Sequence, residues 1–282
     1  MAVSEPGEMR VPVDSPSLLT AKPLGKFDMH MHPSKLKQRD FDDMIVEFGI
    51  PLDLHPMLPP SDLTMNELPG DKIGVYVQHM RLGGVRIPFS AFLLDVIDHF
   101  NVHISQLVPL GVNRVTLFEV RCYSLEVTPT VSLFRVFYRL CKQGHWFSFE
   151  HRTGKHAKTC FREILTSLKR WKDFFFLIDR RAVPNAMPWR HRDSQITDRF
   201  PTGYSQVDAN TLALRPIILR KPPTSLLWVY GLTNTFRISG HHLVIKNAGG
   251  EGKKGCSLLL LSYFIPLLVL IVCFPFCSDH NV

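Results

Sequence analysis

The chain has 282 residues, of which 45% are hydrophobic, and it contains 20 phenylalanines. This apolar content is sufficient for a packed core and excludes a chain that is disordered throughout. The formal net charge of +8 fits an anionic partner, either nucleic acid or a phospholipid surface, and it also fits a basic excess that serves only solubility.

The six cysteines are widely spaced and form no C-x-x-C pair. The sequence therefore contains no zinc-ribbon or thioredoxin-like motif, and the thiols are predicted to be reduced in a cytosolic or nuclear setting. The N-terminus has no apolar stretch of the kind found in secretory signals. Residues 1–34 are rich in Pro and Ser without periodicity, and they are predicted to form a flexible leader.

Helical periodicity begins after the leader. Residues 35–50 carry Phe41, Met44, Ile45 and Phe48 on one stripe, which predicts an amphipathic helix that ends near Gly49. A turn and a short strand-like run are predicted within residues 70–88. Three helices are predicted to follow, over FSAFLLDVIDHF (residues 89–100), residues 115–125 and VSLFRVFYRLCKQ (residues 131–143).

After these helices, the spacing of the apolar residues along the chain changes. HWFSFEHR alternates aromatic and polar residues, which predicts a half-buried strand. CFREILTSLKRW predicts another helix, and FFFLID predicts a buried strand that pairs with WFSF. Residues 182–225 are proline-rich and loop-like. The predicted fold class is α+β and mainly α-helical: a compact helical domain with a small β-hairpin element, followed by a C-terminal hydrophobic, transmembrane helix.

The basic charge is concentrated between residues 151 and 192, where eleven cations face three acids. The candidate nucleic-acid-binding residues are Arg152, Lys155, Lys158, Arg162, Lys169, Arg170, Lys172, Arg180, Arg181, Arg190 and Arg192. Trp146, Trp171 and Trp189 are interleaved with them, as in surfaces that hold phosphates and stack bases. Anionic lipid is a second predicted partner. In the alternative reading, the aromatic residues are core and the cations form a solvated face.

The sequence offers no catalytic constellation, so an enzyme is not predicted. Asp40, Asp42 and Asp43 are clustered on one short helix and point in different directions, whereas two-metal chemistry needs carboxylates that converge from separate elements. His30 and His32 form an isolated pair. The group of His145, His151, His156 and Cys160 lacks the spacing of a zinc knuckle. No cofactor and no metal ion are predicted.

Several segments occur in a fixed order along the chain: LPGDKIGVYVQHMRLGGVRIPFSAFLLDVIDHFNVHISQL, FEVRC, PTVSLFRVFYRL, WFSF and LKRWKDFFFLID. In this order and at about these spacings they resemble the gypsy-type transposase domain of plant proteins, which lies in the gag-like region of long-terminal-repeat retroelements. The resemblance covers about residues 41–236, after which the chain departs from the family pattern. It implies a retroelement-derived module and supplies no catalytic residues.

The C-terminal residues 256–277 contain no charge and are long enough to span a bilayer as a helix. Lys253 and Lys254 precede them, which predicts a single span with a cytosolic N-terminus. Translated intron or downstream genomic sequence is the alternative origin, and it would leave the protein in the cytoplasm or nucleus. The predicted organisation is a leader (1–34), the gypsy-type domain (35–239), a Gly/Lys hinge (240–255), the hydrophobic segment (256–277) and a tail (278–282).

Three functions follow from these observations. The first is a non-enzymatic, gag-like domain that acts through protein or nucleic-acid contacts and is anchored to a membrane by its C-terminus. The second is a tail-anchored protein whose cytosolic domain is a protein-interaction module. An active transposase or nuclease ranks last. Self-association is a further candidate contact.

Overall fold

The computed structural model describes residues 28–162, 167–183, 187, 189–191, 193–218, 221–233, 236–238 and 241–243. Its helices are α1 (Gln38–Phe48), α2 (Val77–Arg81), α3 (Ala91–His99), α4 (Pro109–Ser124), α5 (Val131–Phe137), α6 (Gln206–Leu214) and α7 (Thr224–Val229). Its strands are β1 (Lys72–Tyr76), β2 (Tyr138–Gln143), β3 (Trp146–His151), β4 (Phe175–Asp179), β5 (Phe236–Ile238) and β6 (His241–Leu243).

The strands form three two-stranded antiparallel sheets, β1–β4, β2–β3 and β5–β6. Strands β2 and β3 make a hairpin whose register runs from Tyr138 opposite His151 to Gln143 opposite Trp146. Gly144, with φ of 68°, occupies its tight turn, and glycine adopts this left-handed conformation without steric cost.

The predicted pairing of FFFLID with WFSF is wrong. The FFFLID run forms β4, and β4 pairs with β1 in a register that places Lys72 opposite Asp179. Both candidate strands are apolar, so periodicity could identify them as strands but could not choose between their partners. The choice depends on a pairing that is distant in the sequence.

Helices α1, α3 and α4 confirm three predicted helices. Gly49 ends α1 with φ of 60°, and Ser90 caps α3 by accepting a hydrogen bond from the Leu93 N–H at 3.2 Å. Helix α4 begins earlier than predicted because Pro109 stands in its first turn, where its missing N–H has no cost.

The predicted helix over residues 131–143 is wrong in its second half. Helix α5 ends at Phe137, and β2 starts at the next residue. Buried Tyr138 and Leu140 flank exposed Arg139, a two-residue alternation that the preceding helical pattern had concealed.

The predicted helix over CFREILTSLKRW is also not found as a continuous element. Phe161 forms a parallel bridge with Ile217, and residues 171–173 make a single 3₁₀ turn. Residues 163–166 lie outside the described part of the chain.

The predicted fold class requires a correction, because it included a membrane-spanning helix. The structure is α+β, with seven helices and small sheets in its described residues. None of those helices is both long and apolar enough to cross a bilayer. Residues 256–277 themselves lie outside the described residues. The domain boundaries stay predictions, although Ser34 of the predicted leader donates a hydrogen bond to the Phe175 carbonyl at 2.7 Å.

An aromatic cluster forms the centre of the core. The rings of Phe92, Phe118 and Phe134 contact one another with centroids 5.3–6.1 Å apart, and Phe149 lies 5.0 Å from Phe134. These rings join α3, α4, α5 and β3. Each such pair contributes about 0.5–1.5 kcal/mol beyond the burial of its area, so the cluster fixes the relative positions of the four elements.

A buried carboxylate, Asp198, attaches the loop at residues 193–205 to this core. It accepts hydrogen bonds from Arg135 Nη2 at 3.0 Å and Arg152 Nη2 at 2.6 Å, and its second oxygen accepts from the Leu140 N–H at 3.2 Å. Its side chain is only 5% exposed. Charge-assisted bonds of this kind are stronger than neutral ones, so the loop is fixed to α5, β2 and the end of β3.

A second buried carboxylate, Glu119 on α4, faces the N-terminus of α3. It accepts a hydrogen bond from the Ser90 hydroxyl at 2.8 Å and a longer one from Tyr123 at 3.4 Å. Burial disfavours the charged form and raises the pKa of Glu119 to about 7. The pKa of this interior acid therefore lies near neutral pH.

The Asp198→Asn variant should lose about 3 kcal/mol of unfolding free energy, because the charges of Arg135 and Arg152 remain largely buried without their counter-ion. Urea denaturation at neutral pH measures the loss. Asp193→Asn is the matched control, since Asp193 lies on the same loop with a side chain 73% exposed, and it should stay within about 0.5 kcal/mol of the wild type. Equal midpoints for the two variants would contradict this role of Asp198.

The Glu119→Gln variant should change the pH dependence of stability. The raised pKa of Glu119 means that the folded state holds this proton more tightly than the unfolded state, so stability falls as the pH rises from about 4.5 towards 7. Glutamine can still accept the Ser90 hydrogen bond without a charge. The variant should be about 2 kcal/mol more stable than the wild type at pH 8 and equal to it near pH 4, since one pKa unit corresponds to about 1.4 kcal/mol.

Thermal or urea unfolding across this pH range, with Asp95→Asn as an exposed control on α3, measures that difference. Buried His79 and His103, whose pKa values are lowered to about 4 by burial, affect the wild type and the variant equally. A difference between the two proteins that is constant with pH would refute titration of Glu119.

Candidate nucleic-acid interface

Two of the predicted cations are structural. Arg152 binds Asp198 and also donates to the backbone carbonyls of Arg135 and Asp198. Arg190 donates to the carbonyls of Phe100 and Gln195, the latter at 2.8 Å. Their charges are used to join segments of this chain and are not directed outwards.

Four more cations have partners within the protein. Lys158 Nζ donates to Asn210 Oδ1 at 2.8 Å, and Arg181 Nε donates to Asp179 Oδ2 at 3.1 Å. Arg180 Nη2 makes a longer hydrogen bond, 3.4 Å, to the Met187 carbonyl. Lys172 Nζ lies 4.2 Å from the centroid of the Trp146 ring, which is a cation–π geometry.

The remaining described candidates, Lys155, Arg162, Lys169 and Arg170, are exposed, and Arg192 lies outside the described residues. Strand β4 separates the group at residues 169–172 from the group at residues 180–181 by about 15 Å, given a rise of about 3.4 Å per residue. The candidates are therefore distributed over several surface segments, and nucleic-acid binding by them stays a prediction.

The interleaved tryptophans divide into two kinds. Trp146 and Trp171 are buried, and Trp146 Nε1 donates to Tyr76 Oη at 2.8 Å. Trp189 is 42% exposed and packs against His103 at a centroid distance of 5.1 Å. The reading of these aromatic residues as core is thus correct for two of the three.

The structure shows an exposed aromatic group that the sequence interpretation missed. Phe200 is 38% exposed, and its ring lies 5.9 Å from His156 and 6.0 Å from Tyr204. The Arg152 guanidinium carbon lies 5.7 Å from its centroid. We call Arg152, His156, Phe200 and Tyr204 the Phe200 cluster.

The Asp198 contacts hold the Phe200 cluster in place. Phe200 follows Asp198 by two residues, and the same Arg152 that binds this carboxylate lies against the Phe200 ring. Exposed Lys155 precedes His156, and exposed Arg199 precedes Phe200. Because Asp198 is opposed by two arginines, the surroundings of the ring are basic. Residue 200 was overlooked because it lies outside the basic run, in a stretch that reads only as loop.

The predicted His/Cys group does not converge on one point. His145 Nε2 pairs with Asp28 Oδ1 at 2.9 Å, His151 stacks on Tyr138 at 4.9 Å, and His156 lies beside Phe200. Cys160 is buried, with its sulfur 4.0 Å from Tyr138 Oη. Within the described ranges, no group of three or more His, Cys, Asp or Glu residues could hold a metal ion.

The same holds for the histidine pair and for the acids of α1: His30, His32 and Asp42 each contact a different partner. His32 Nδ1 lies 2.7 Å from Asp173 Oδ1, and the ring of His30 contacts Asn66. Asp42 accepts a hydrogen bond from Gln38 at 2.7 Å on the same helix. The two histidine contacts join segments that are distant in the sequence, whereas the Gln38–Asp42 contact lies within α1.

Comparison with protein families finds a match over part of the chain. Residues 75–142 match a family model described as "Putative gypsy type transposon", a segment that runs from the end of β1 to the end of β2 and includes α2 to α5. No curated protein and no solved structure matches the chain. The match confirms the resemblance inferred from the sequence, and over residues 75–142 the chain is similar to that family.

Proposed function

We propose that this protein is a non-enzymatic, gag-like module that binds single-stranded nucleic acid through the Phe200 cluster. The observation that carries the proposal is an exposed aromatic ring held in a basic setting. The Phe200 ring can stack on a base, since such contacts tolerate any sequence and contribute about 1–3 kcal/mol per base. Exposed Arg199 precedes Phe200 and exposed Lys155 precedes His156 of the cluster, so both cations can approach phosphates.

The fixed position of the ring supports this function. Asp198 binds Arg135 and Arg152, so the segment that carries Phe200 is ordered before any ligand arrives. A preorganised ring loses less conformational entropy on binding than a mobile one. Arg152 therefore has a positioning role, whereas Lys155 and Arg199 interact with the backbone of the nucleic acid.

Single strands fit this arrangement better than duplexes. The bases of a duplex are already stacked on one another, so an exposed ring can reach a base face only where a strand is open. Membrane contact and localisation were predicted from residues 256–277, which lie outside the described residues, and they stay predictions. Self-association likewise stays a prediction.

Fluorescence anisotropy with a labelled poly-pyrimidine oligonucleotide tests the proposal. Phe200→Ala should weaken binding about tenfold, because a stacking contact is lost. The double variant Lys155→Ala/Arg199→Ala should reduce the slope of log affinity against log salt by about 2, since each phosphate contact contributes about 1. The same strand annealed to its complement should bind more weakly.

Two comparisons separate this site from the basic run predicted from the sequence. Trp189→Ala removes an aromatic residue of similar exposure and should leave affinity unchanged. A variant with Ala at Lys169, Arg170, Lys172, Arg180 and Arg181 should retain the contribution of Phe200. The contradicting outcome is that Phe200→Ala binds as tightly as the wild type while the variant with five substitutions does not bind. The interface would then lie in the basic run, and the Phe200 cluster would not be the site.

A further inference from the structure

A pocket of about 380 Å³ opens between the start of α3, the end of α4 and the loop that joins α4 to α5. It is lined by Ala91, Phe92, Asp95, Tyr123, Glu126, Val127, Thr128 and Pro129. All of these residues lie within the continuously described range 28–162. The volume falls within the range of small-molecule sites, about 300–1,000 Å³. No lining residue belongs to the Phe200 cluster, so the pocket calls for a separate explanation.

The charge of this pocket is negative, although the net charge of the chain is +8. Asp95 and Glu126 are exposed, and the lining contains no cationic side chain. Within the described part of the chain, neither carboxylate forms an ion pair. Exposed Asp98 follows on the same face of α3 and adds to the negative potential. The pocket therefore favours a cation.

Glu126 occupies a position at which glycine is the usual residue. Its φ of 57° is left-handed. The Glu126 N–H donates to the Tyr123 carbonyl at 3.2 Å, and the Val127 N–H donates to the Cys122 carbonyl at 2.9 Å, which is the pattern of a Schellman motif at the end of α4. Glycine adopts this conformation without the steric cost that glutamate has. The end of the helix thus fixes where the carboxylate stands but does not require one.

An aromatic side chain and an apolar floor complete the pocket. Tyr123 is 36% exposed. Its hydroxyl donates to Glu119 at 3.4 Å, and its ring centroid lies 5.6 Å from that of Tyr230. Phe92 and Val127 are buried beneath the opening. Such a lining suits an organic cation with an apolar stem better than Mg²⁺, which needs a nearly complete octahedron of oxygen ligands.

We infer that this pocket binds a guanidinium group on an aliphatic stem, as in an arginine side chain. The planar guanidinium stacks on the exposed part of Tyr123, its N–H groups donate to Asp95 and Glu126, and the stem covers the apolar floor. A primary ammonium has neither the plane nor the fork of donors. A neutral group leaves both carboxylates without a counter-ion.

Calorimetric titration of the full-length protein with the capped peptide Gly-Gly-Arg-Gly-Gly tests the inference. The same peptide with citrulline, which keeps the shape of arginine without its charge, should bind at least about fivefold more weakly. The lysine peptide should also bind more weakly. Agmatine distinguishes the source of the group, since tighter binding of agmatine than of the peptide assigns a free guanidine and the reverse assigns a peptide. Equal affinity for the arginine and citrulline peptides overturns the ligand class.

Two variants locate the binding. Glu126→Gly places glycine at the left-handed position, so the fold should be retained while affinity for the arginine peptide falls about fivefold, the size of an exposed charge contact. Asp98→Asn is the matched control outside the lining and should have less than about a twofold effect. Thr128→Trp obstructs the exposed rim and should abolish the heat of binding. Circular dichroism checks that each variant folds, and wild-type affinity in either folded variant, Glu126→Gly or Thr128→Trp, overturns the site.

Discussion

The burial of α4 on nearly every side is the constraint on which the other elements depend. Twelve of its sixteen residues are buried, including polar ones. Asn113 donates to the Leu82 carbonyl at 2.8 Å, Arg121 to the Arg215 carbonyl at 3.1 Å, and Glu119 accepts from Ser90. A polar group in the interior is costly unless it is satisfied, so each of these bonds fixes one neighbouring segment at one position. The helix is both the apolar centre of the fold and the part to which its periphery is attached.

Sequence patterns succeeded where the deciding interaction is local. The Gly49 stop of α1 and the one-sided apolar spacing of α3 are both visible within a few residues, and both helices are found. Patterns failed where the decision is made by distant contacts. Tyr138 begins a strand because β3 is available to pair with it, and β4 takes β1 as its partner although a nearer apolar strand exists. Neither outcome is encoded in the period of the residues concerned.

The same distinction applies to the candidate site. Counting charges along residues 151–192 located a basic segment, but a sequence count cannot separate a cation that faces solvent from one that joins two loops. Arg152 and Arg190 belong to the second kind, and their use inside the fold is what positions Phe200 and the segment near Gln195. The exposed ring was missed because exposure depends on the packing of Asp198 and not on the residues beside Phe200. The positive charge thus has two uses, one in assembly of the loops and one at the surface.

The pairing of β1 with β4 also governs how the chain is made. Lys72 and Asp179 are register partners, so the ribosome must deliver about 100 further residues after β1 before its hydrogen-bonding edge can be covered. At about 5–20 residues per second this interval lasts about 5–20 s. The matched segment at residues 75–142 ends before both β3 and β4. A nascent chain that has just reached the end of β2 therefore carries β1 and β2 without their partner strands. An open strand edge is a template for pairing with another chain, so this topology makes early synthesis the stage at which the protein is most exposed to misassembly.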